Sequence, residues 1–196
     1  MTEAASVVHS VSPDALIYFS GLDFDVTISR IPLGLPLNGT VGTITEGKVA
    51  YFVPSDFPFS NKIVLELHKY DFEHTQATCK DFEAALYRAG YSAIDTANPS
   101  VKYPLPMMFT EWGFIQDGIY WNTTTYNKCL IEFFGKWKPS GWMQWELAGS
   151  FYVQTRAARV QDATEAWGLV NHNWTAFRSP ITIENSLEAL RKATLI

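Results

Sequence analysis

Glu132 is the first residue of this chain that could do chemistry, because it is a carboxylate set among apolar neighbours. In Lys128-Cys-Leu-Ile-Glu-Phe-Phe134 an extended strand would put Leu130 and Phe134 on its own side and Cys129, Ile131 and Phe133 on the other. A carboxyl group buried on such a face holds its proton to higher pH, which is the tuning a general acid or base requires. Glu66 and His68 form a second candidate. In Ile63-Val-Leu-Glu-Leu-His-Lys-Tyr70 they share a strand face with Val64 and Tyr70, opposite Ile63, Leu65 and Leu67. If the sheet is covered on both sides they become an acid/base pair lining a cavity; if it is covered on one, they face solvent. Glu111, in Phe109-Thr-Glu-Trp-Gly113, poses the same question as Glu132 with weaker apolar flanking.

Rings with hydrogen-bonding tips cluster nearby. Tyr120, Trp121, Asn122 and Tyr126 form one group, and Trp142, Gln144, Trp145 and Tyr152 another. Such mixtures suit a pocket for a flat, mostly apolar molecule held by a few polar contacts, although rings on adjacent strands also pack across a sheet with no ligand. Tyr51, Tyr120, Gln144 and Trp145 are the expected pocket walls. His172 lies in a polar loop, and Arg156 and Arg159 follow a strand end, where surface ion pairing is the ordinary role.

Several classes of chemistry lose support. The chain has no GxGxxG, GxxxxGK[ST], GxSxG, HExxH or EF-hand pattern, so a nucleotide cofactor, a serine-hydrolase elbow and a zincin site are not expected. The four histidines are dispersed, and neither a metal nor any other cofactor is expected. A net charge of −5 with scattered Lys and Arg offers no footprint for a phosphate backbone, so no nucleic-acid partner is expected. Cys79 and Cys129 lack CxxC spacing and read as two buried thiols. The start, Met-Thr-Glu-Ala-Ala-Ser-Val-Val-His9, has no basic n-region and no sustained apolar run, which gives a cytoplasmic protein with no membrane partner. The sequons at Asn38, Asn122 and Asn173 then read as coincidence.

The elements that would position these groups are mostly extended. After a loose start over residues 1–11, strands are expected at Ala15 to Phe19, Phe24 to Ile31, Gly39 to Thr45, Lys48 to Val53, Asn61 to Tyr70, Met107 to Phe114, Gly118 to Thr125 and Ala166 to Asn171. A hairpin is expected over Asn127 to Gln154, turning at Lys138-Pro-Ser-Gly141. Helices are expected at about 75–89, ending at Gly90, and at about 183–194 with Thr182 as N-cap. With no linker or repeat along 196 residues, this describes one α+β domain over 1–196. Its sheet is mostly antiparallel, strongly curved or closed into a β-barrel, with two packed helices.

The function expected from this reading is a cofactor-independent isomerase, cyclase, dehydratase or decarboxylase acting on a hydrophobic or aromatic metabolite. Glu132, Glu66 and His68 would move protons inside a sheet-walled cavity. The alternatives are a non-enzymatic carrier of a hydrophobic small molecule and a homo-oligomeric structural subunit.

Overall fold

The computed structural model describes residues 1–37, 50–70, 77–154 and 160–195. The expected strand at Gly39 to Thr45 lies outside them, as do residues 48 and 49 of that at Lys48 to Val53, whose remaining residues form only an isolated bridge from Ala50 to Leu37. Helix α1 (Thr2–Val11) comes first, followed by strand β1 (Ile17–Ser20), strand β2 (Ile63–Tyr70) and helix α2 (Cys79–Ala89). Strand β3 (Met107–Gly113), the single turn α3 (Tyr120–Thr123), helix α4 (Thr125–Trp137) and strand β4 (Gly141–Gln144) come next. Strands β5 (Ser150–Gln154) and β6 (Val160–Thr164) then precede a C-terminal helical run, α5 (Pro180–Thr182), a π-turn over Ile183–Leu187 and α6 (Glu188–Thr194).

The sheet differs from the expected one. Strands β1 to β4 form a parallel sheet in sequential order, and β1 runs beside β2 in parallel with Ile17 opposite Ile63 and Ser20 opposite Glu66. Parallel neighbours need a crossover rather than a tight turn, and α2 and α4 fill that role between β2 and β3 and between β3 and β4. The antiparallel curved sheet or β-barrel is therefore corrected to an α/β arrangement. Antiparallel pairing is found in the separate β5–β6 ribbon, where Ser150 faces Thr164 and Tyr152 faces Asp162.

The largest local correction concerns Asn127 to Gln154. Its first half is helix α4, not a strand. Tyr126, Cys129, Leu130, Phe133 and Phe134 are all buried, and their spacing of three and four residues is a helical stripe. Full burial of such side chains contributes roughly 1.5–3 kcal/mol each, enough to select the helix over the period-2 reading. Lys138 ends it in the left-handed conformation (φ 48°, ψ 58°), with its N–H on the Phe134 carbonyl, and Pro139 cannot continue the helix. Residues 2–11, expected to be loose, form α1. The expected strand at Gly118 to Thr125 is largely α3. That at Phe24 to Ile31 is mostly turns, with Asp23, Phe24 and Asp25 at φ of 54°, 61° and 62°. The C-terminal run is capped by Ser179, whose hydroxyl accepts from the Thr182 N–H, three residues before the expected cap.

The chain divides into two compact units. The first comprises Met1–His68, Ala84–Thr110 and Pro139–Gly141, and its core holds the ring series Phe19, Phe52, Phe57 and Phe59, with successive centroids 4.9, 5.2 and 5.1 Å apart. The second comprises Lys69–Glu83, Glu111–Lys138 and Trp142–Ile196. Its core is built on α4: Tyr126 meets Phe82 and Phe114 edge-on, and its hydroxyl donates to the Lys69 carbonyl at 2.5 Å.

Cys79 and Cys129, expected as free thiols, are joined in a disulfide across 50 residues of sequence, which ties the start of α2 to α4. Closing a loop of that length restricts the unfolded chain by about 4 kcal/mol in the chain-entropy account. Replacing both cysteines with serine should therefore lower the unfolding free energy by about that amount, measured by urea denaturation. An unchanged midpoint would show that the bond constrains nothing.

Candidate active site

The second unit gathers a tyrosine, three glutamates and two tryptophans around the C-terminal ends of strands. Tyr70 is the last residue of β2, Glu111 lies two residues before the end of β3, and Trp145 and Glu146 follow β4 directly. Strand ends on this side are where α/β folds place reactive groups, because the loops that follow can converge there.

The centre of the cluster is the Tyr70 hydroxyl, which donates to Glu111 Oε1 at 2.5 Å. The Tyr70 phenol is held far above its usual range, first by burial, then by the hydrogen bond to Glu111 and by the charges of Glu111 and Glu146. It stays a neutral donor, and a carboxylate beside it can only accept. The Tyr70 ring meets Trp167 edge-on with centroids 5.6 Å apart. The Trp167 backbone N–H in turn donates to Glu165 Oε1 at 2.8 Å.

Glu146 is the second carboxyl of note. Its pKa is raised, first by burial, then by the charge of Glu165, a hydrogen bond shared with Glu165, and the charge of Glu111. The Leu169 N–H donates to its carbonyl at 2.8 Å, which fixes the segment that carries it.

Close backbone approach makes two glycines obligatory here. A side chain at Gly113 would place its Cβ 2.2 Å from the Trp145 carbonyl oxygen, and one at Gly168 would fall 1.4 Å from that of Ala148. The sequence Glu111-Trp-Gly113 therefore lets β3 end against the loop that bears Trp145, whose N–H donates to the Trp112 carbonyl at 2.7 Å. Trp112 Nε1 and Gln144 Oε1 are buried with no protein partner among the described residues.

The residues singled out from sequence are dispersed. Glu132 projects from α4 with its side chain 53% exposed, 3.8 Å from Lys128 one turn earlier. The two apolar strand faces that motivated it do not exist in a helix. Glu66 accepts from the Ser20 hydroxyl at 2.5 Å and from the Thr110 hydroxyl, so its carboxylate is engaged by two side-chain donors. His68 Nε2 lies 3.6 Å from the Asp25 carboxylate, and the His68 backbone N–H donates to the Asp25 carbonyl. Tyr51 is exposed, and Tyr120 stacks on Phe114 at 5.3 Å. Gln144 and Trp145 belong to the stretch that leads into the cluster. Glu111 was visible as a carboxylate within an apolar strand, and Tyr70 as the residue continuing the Glu66/His68 face. Glu146 and Glu165 were not singled out, because Glu146 read as part of the polar face of a strand with Gln144, Ser150 and Tyr152 and no pattern marked Glu165. Among the described residues no group of three or more His, Cys, Asp or Glu is arranged to hold a metal ion. No helix among them is long and apolar enough to cross a membrane.

No protein-family model matches the chain. It is 27% identical over 186 residues to a glycosyl hydrolase 5 family protein of Chamaecyparis obtusa, covering 92% of this chain and 29% of that one. Among solved structures it resembles a hyperthermostable endocellulase studied for its disulfide bond (TM-score 0.56, 12% identity) and an endocellulase of the archaeon Pyrococcus horikoshii (0.55, 11%). A cellulase in complex with an inhibitor is similar at 0.54 and 13%. Each match covers 99% of this chain and 47% of the other. The chain thus spans under a third of the curated relative and about half of each solved structure. Those structures are α/β barrels, which agrees with the parallel sheet. The expected isomerase, cyclase, dehydratase or decarboxylase is overturned by these likenesses, which are to hydrolases named for carbohydrate substrates. The hydrophobic or aromatic ligand expected for an enzyme or carrier is overturned with it.

The raised pKa of Glu146 has a consequence for stability. A carboxyl whose pKa is higher folded than unfolded contributes stability below its unfolded value, and that contribution is lost as pH rises through the folded value. Glu146→Gln, which copies the neutral form, should therefore raise Tm at pH 7, with the gain vanishing below about pH 4, where Glu is protonated in both states. A gain that persisted unchanged into acid would contradict the assigned burial.

Proposed function

We propose that this chain carries part of the active site of a glycoside hydrolase, with Glu111 as the carboxylate that faces the sugar's anomeric carbon. The observation that carries the reading is the Tyr70–Glu111 hydrogen bond at the strand ends. It engages one carboxylate oxygen and orients the group.

Glycoside hydrolysis proceeds through an oxocarbenium-like transition state and uses two carboxyl groups, one ionised and one that delivers a proton to the departing oxygen. In the retaining course the ionised group attacks the anomeric carbon and forms a glycosyl ester, which water then cleaves. Glu111 suits the ionised role, because positive charge developing at the sugar ring is met by a carboxylate already oriented by a neutral donor. Glu146 is a carboxyl whose pKa is raised by burial and by neighbouring carboxylates, the direction that suits the proton-delivering group of such enzymes. Trp145, 44% exposed beside these groups, offers an indole face on which the C–H face of a sugar ring can rest. The likeness to endocellulases favours a β-linked glucan as substrate, and the 27% identity to a glycosyl hydrolase 5 family protein supports the same class.

The test is hydrolysis of a soluble cellulose derivative, followed by release of reducing ends. Glu111→Gln should lower kcat by at least ~10³-fold while leaving the thermal transition in place, as expected for removal of a group used in the transition state. Tyr70→Phe removes a hydrogen bond to a charged group and should cost on the order of 10- to 100-fold in kcat. Full activity in Glu111→Gln would overturn the proposal.

A further inference from the structure

The disulfide changes the meaning of the sequons. Disulfides persist in the secretory lumen and outside the cell, and are rare where thiol reductants prevail. A chain folded around Cys79–Cys129 belongs in an oxidising compartment, and in a eukaryotic secretory lumen Asn-x-Thr sites also meet the glycosylation machinery. Two of the three sequons fall on described residues. Asn122 is exposed on α3, and Asn173 is exposed in the turn between Asn171 and Ala176. Neighbouring Asn171, by contrast, is tied to Thr175 through its side chain.

We propose that Asn122 and Asn173 carry N-linked glycans, and that the innermost saccharide at Asn122 lies in the cavity beside it. That cavity, of about 540 Å³, is bordered by Asn122 itself and by Trp121, Thr125, Asn127, Lys128, Ile131 and Glu132. It combines an indole wall with charged and hydroxyl groups, the mixture that seats a sugar ring by its C–H face and its hydroxyls. Asn127, only 4% exposed, donates to the carbonyls of Trp121 and Asn185 and keeps an unpartnered Oδ1. Asn173 is exposed, and its glycan stands in solvent. This inference is independent of the hydrolase reading, since it uses neither Glu111 nor Tyr70.

The experiment is glycopeptide mass spectrometry on the protein purified from the cells that make it, alkylated without prior reduction. The peptides bearing Asn122 and Asn173 should carry hexosamine-containing masses and yield Asp at those positions after peptide N-glycosidase F, with Cys79 and Cys129 unalkylated. Unmodified asparagine at both positions, or alkylated cysteines, would overturn the proposal, and unmodified asparagine at one position withdraws it there. Digestion of the native protein should release the Asn173 glycan well before that of Asn122, and unfolding should abolish the difference. Equal native rates would overturn the seating of the Asn122 saccharide. Loss of glycan with cellulose-derivative hydrolysis intact, or the reverse, separates this inference from the catalytic one.

Discussion

Parallel strand pairing is the constraint from which the candidate site follows. A parallel neighbour cannot be reached by a tight turn, so the chain must travel back along the outside of the sheet before each new strand. That return is made by α2 after β2 and by α4 after β3. Each strand then ends on the same side, and whatever residue closes it is delivered to a common rim. Tyr70, Glu111 and Trp145 are far apart in sequence and reach the same cluster because each stands at or just beyond a strand's C-terminal end.

Electrostatics and burial push two groups in that cluster toward holding their protons more tightly. Three carboxylates close together in a partly buried site cannot all be charged cheaply, since like charges disfavour one another and burial disfavours each. The pKa of Glu146 rises under both effects. Tyr70 is driven the same way, and for a phenol this means remaining an O–H donor. The result is a neutral donor locked to one carboxylate beside a carboxyl whose pKa is raised. Two obligatory glycines, Gly113 and Gly168, let backbone segments approach closely enough to bring these groups together.

Sequence reading recovered elements whose period is unambiguous. The strand ending at Tyr70 and the helix ending at Ala89 were legible, as was the C-terminal helix, because each has a clear apolar stripe and a stop signal. The segment around Glu132 was not, because apolar residues at 129, 130, 131, 133 and 134 satisfy period 2 and period 3.6 alike. The wider window settles it, since Tyr126 extends the helical stripe and Lys138-Pro139 ends a helix as readily as it turns a hairpin. Strand direction was hidden for a different reason. Gly and Pro between extended segments mark a chain reversal, yet they do not distinguish a short hairpin from the start of a long crossover. The disulfide was invisible because a separation of 50 residues carries no local pattern.

The expected hydrophobic ligand and the carbohydrate reading share Trp145 and rest on the same types of residue, and this shows what composition can and cannot separate. Tryptophan and tyrosine rings bordered by amide and carboxyl groups will accept a flat apolar molecule, but a pyranose also presents an apolar C–H face with a polar edge. Aromatic content therefore predicts a recess for something flat and is silent on what that is. What distinguishes the two is the charge state imposed on the surrounding carboxyls. An apolar ligand gains nothing from a rigidly oriented carboxylate, and holding one partly buried costs stability. A sugar losing its leaving group develops positive charge at a single carbon, and under the proposed hydrolase reading that charge is what the Tyr70–Glu111 pair would stabilise. The informative signal was therefore the tyrosine at the end of one strand and the glutamate near the end of the next, a pairing that only the fold could reveal.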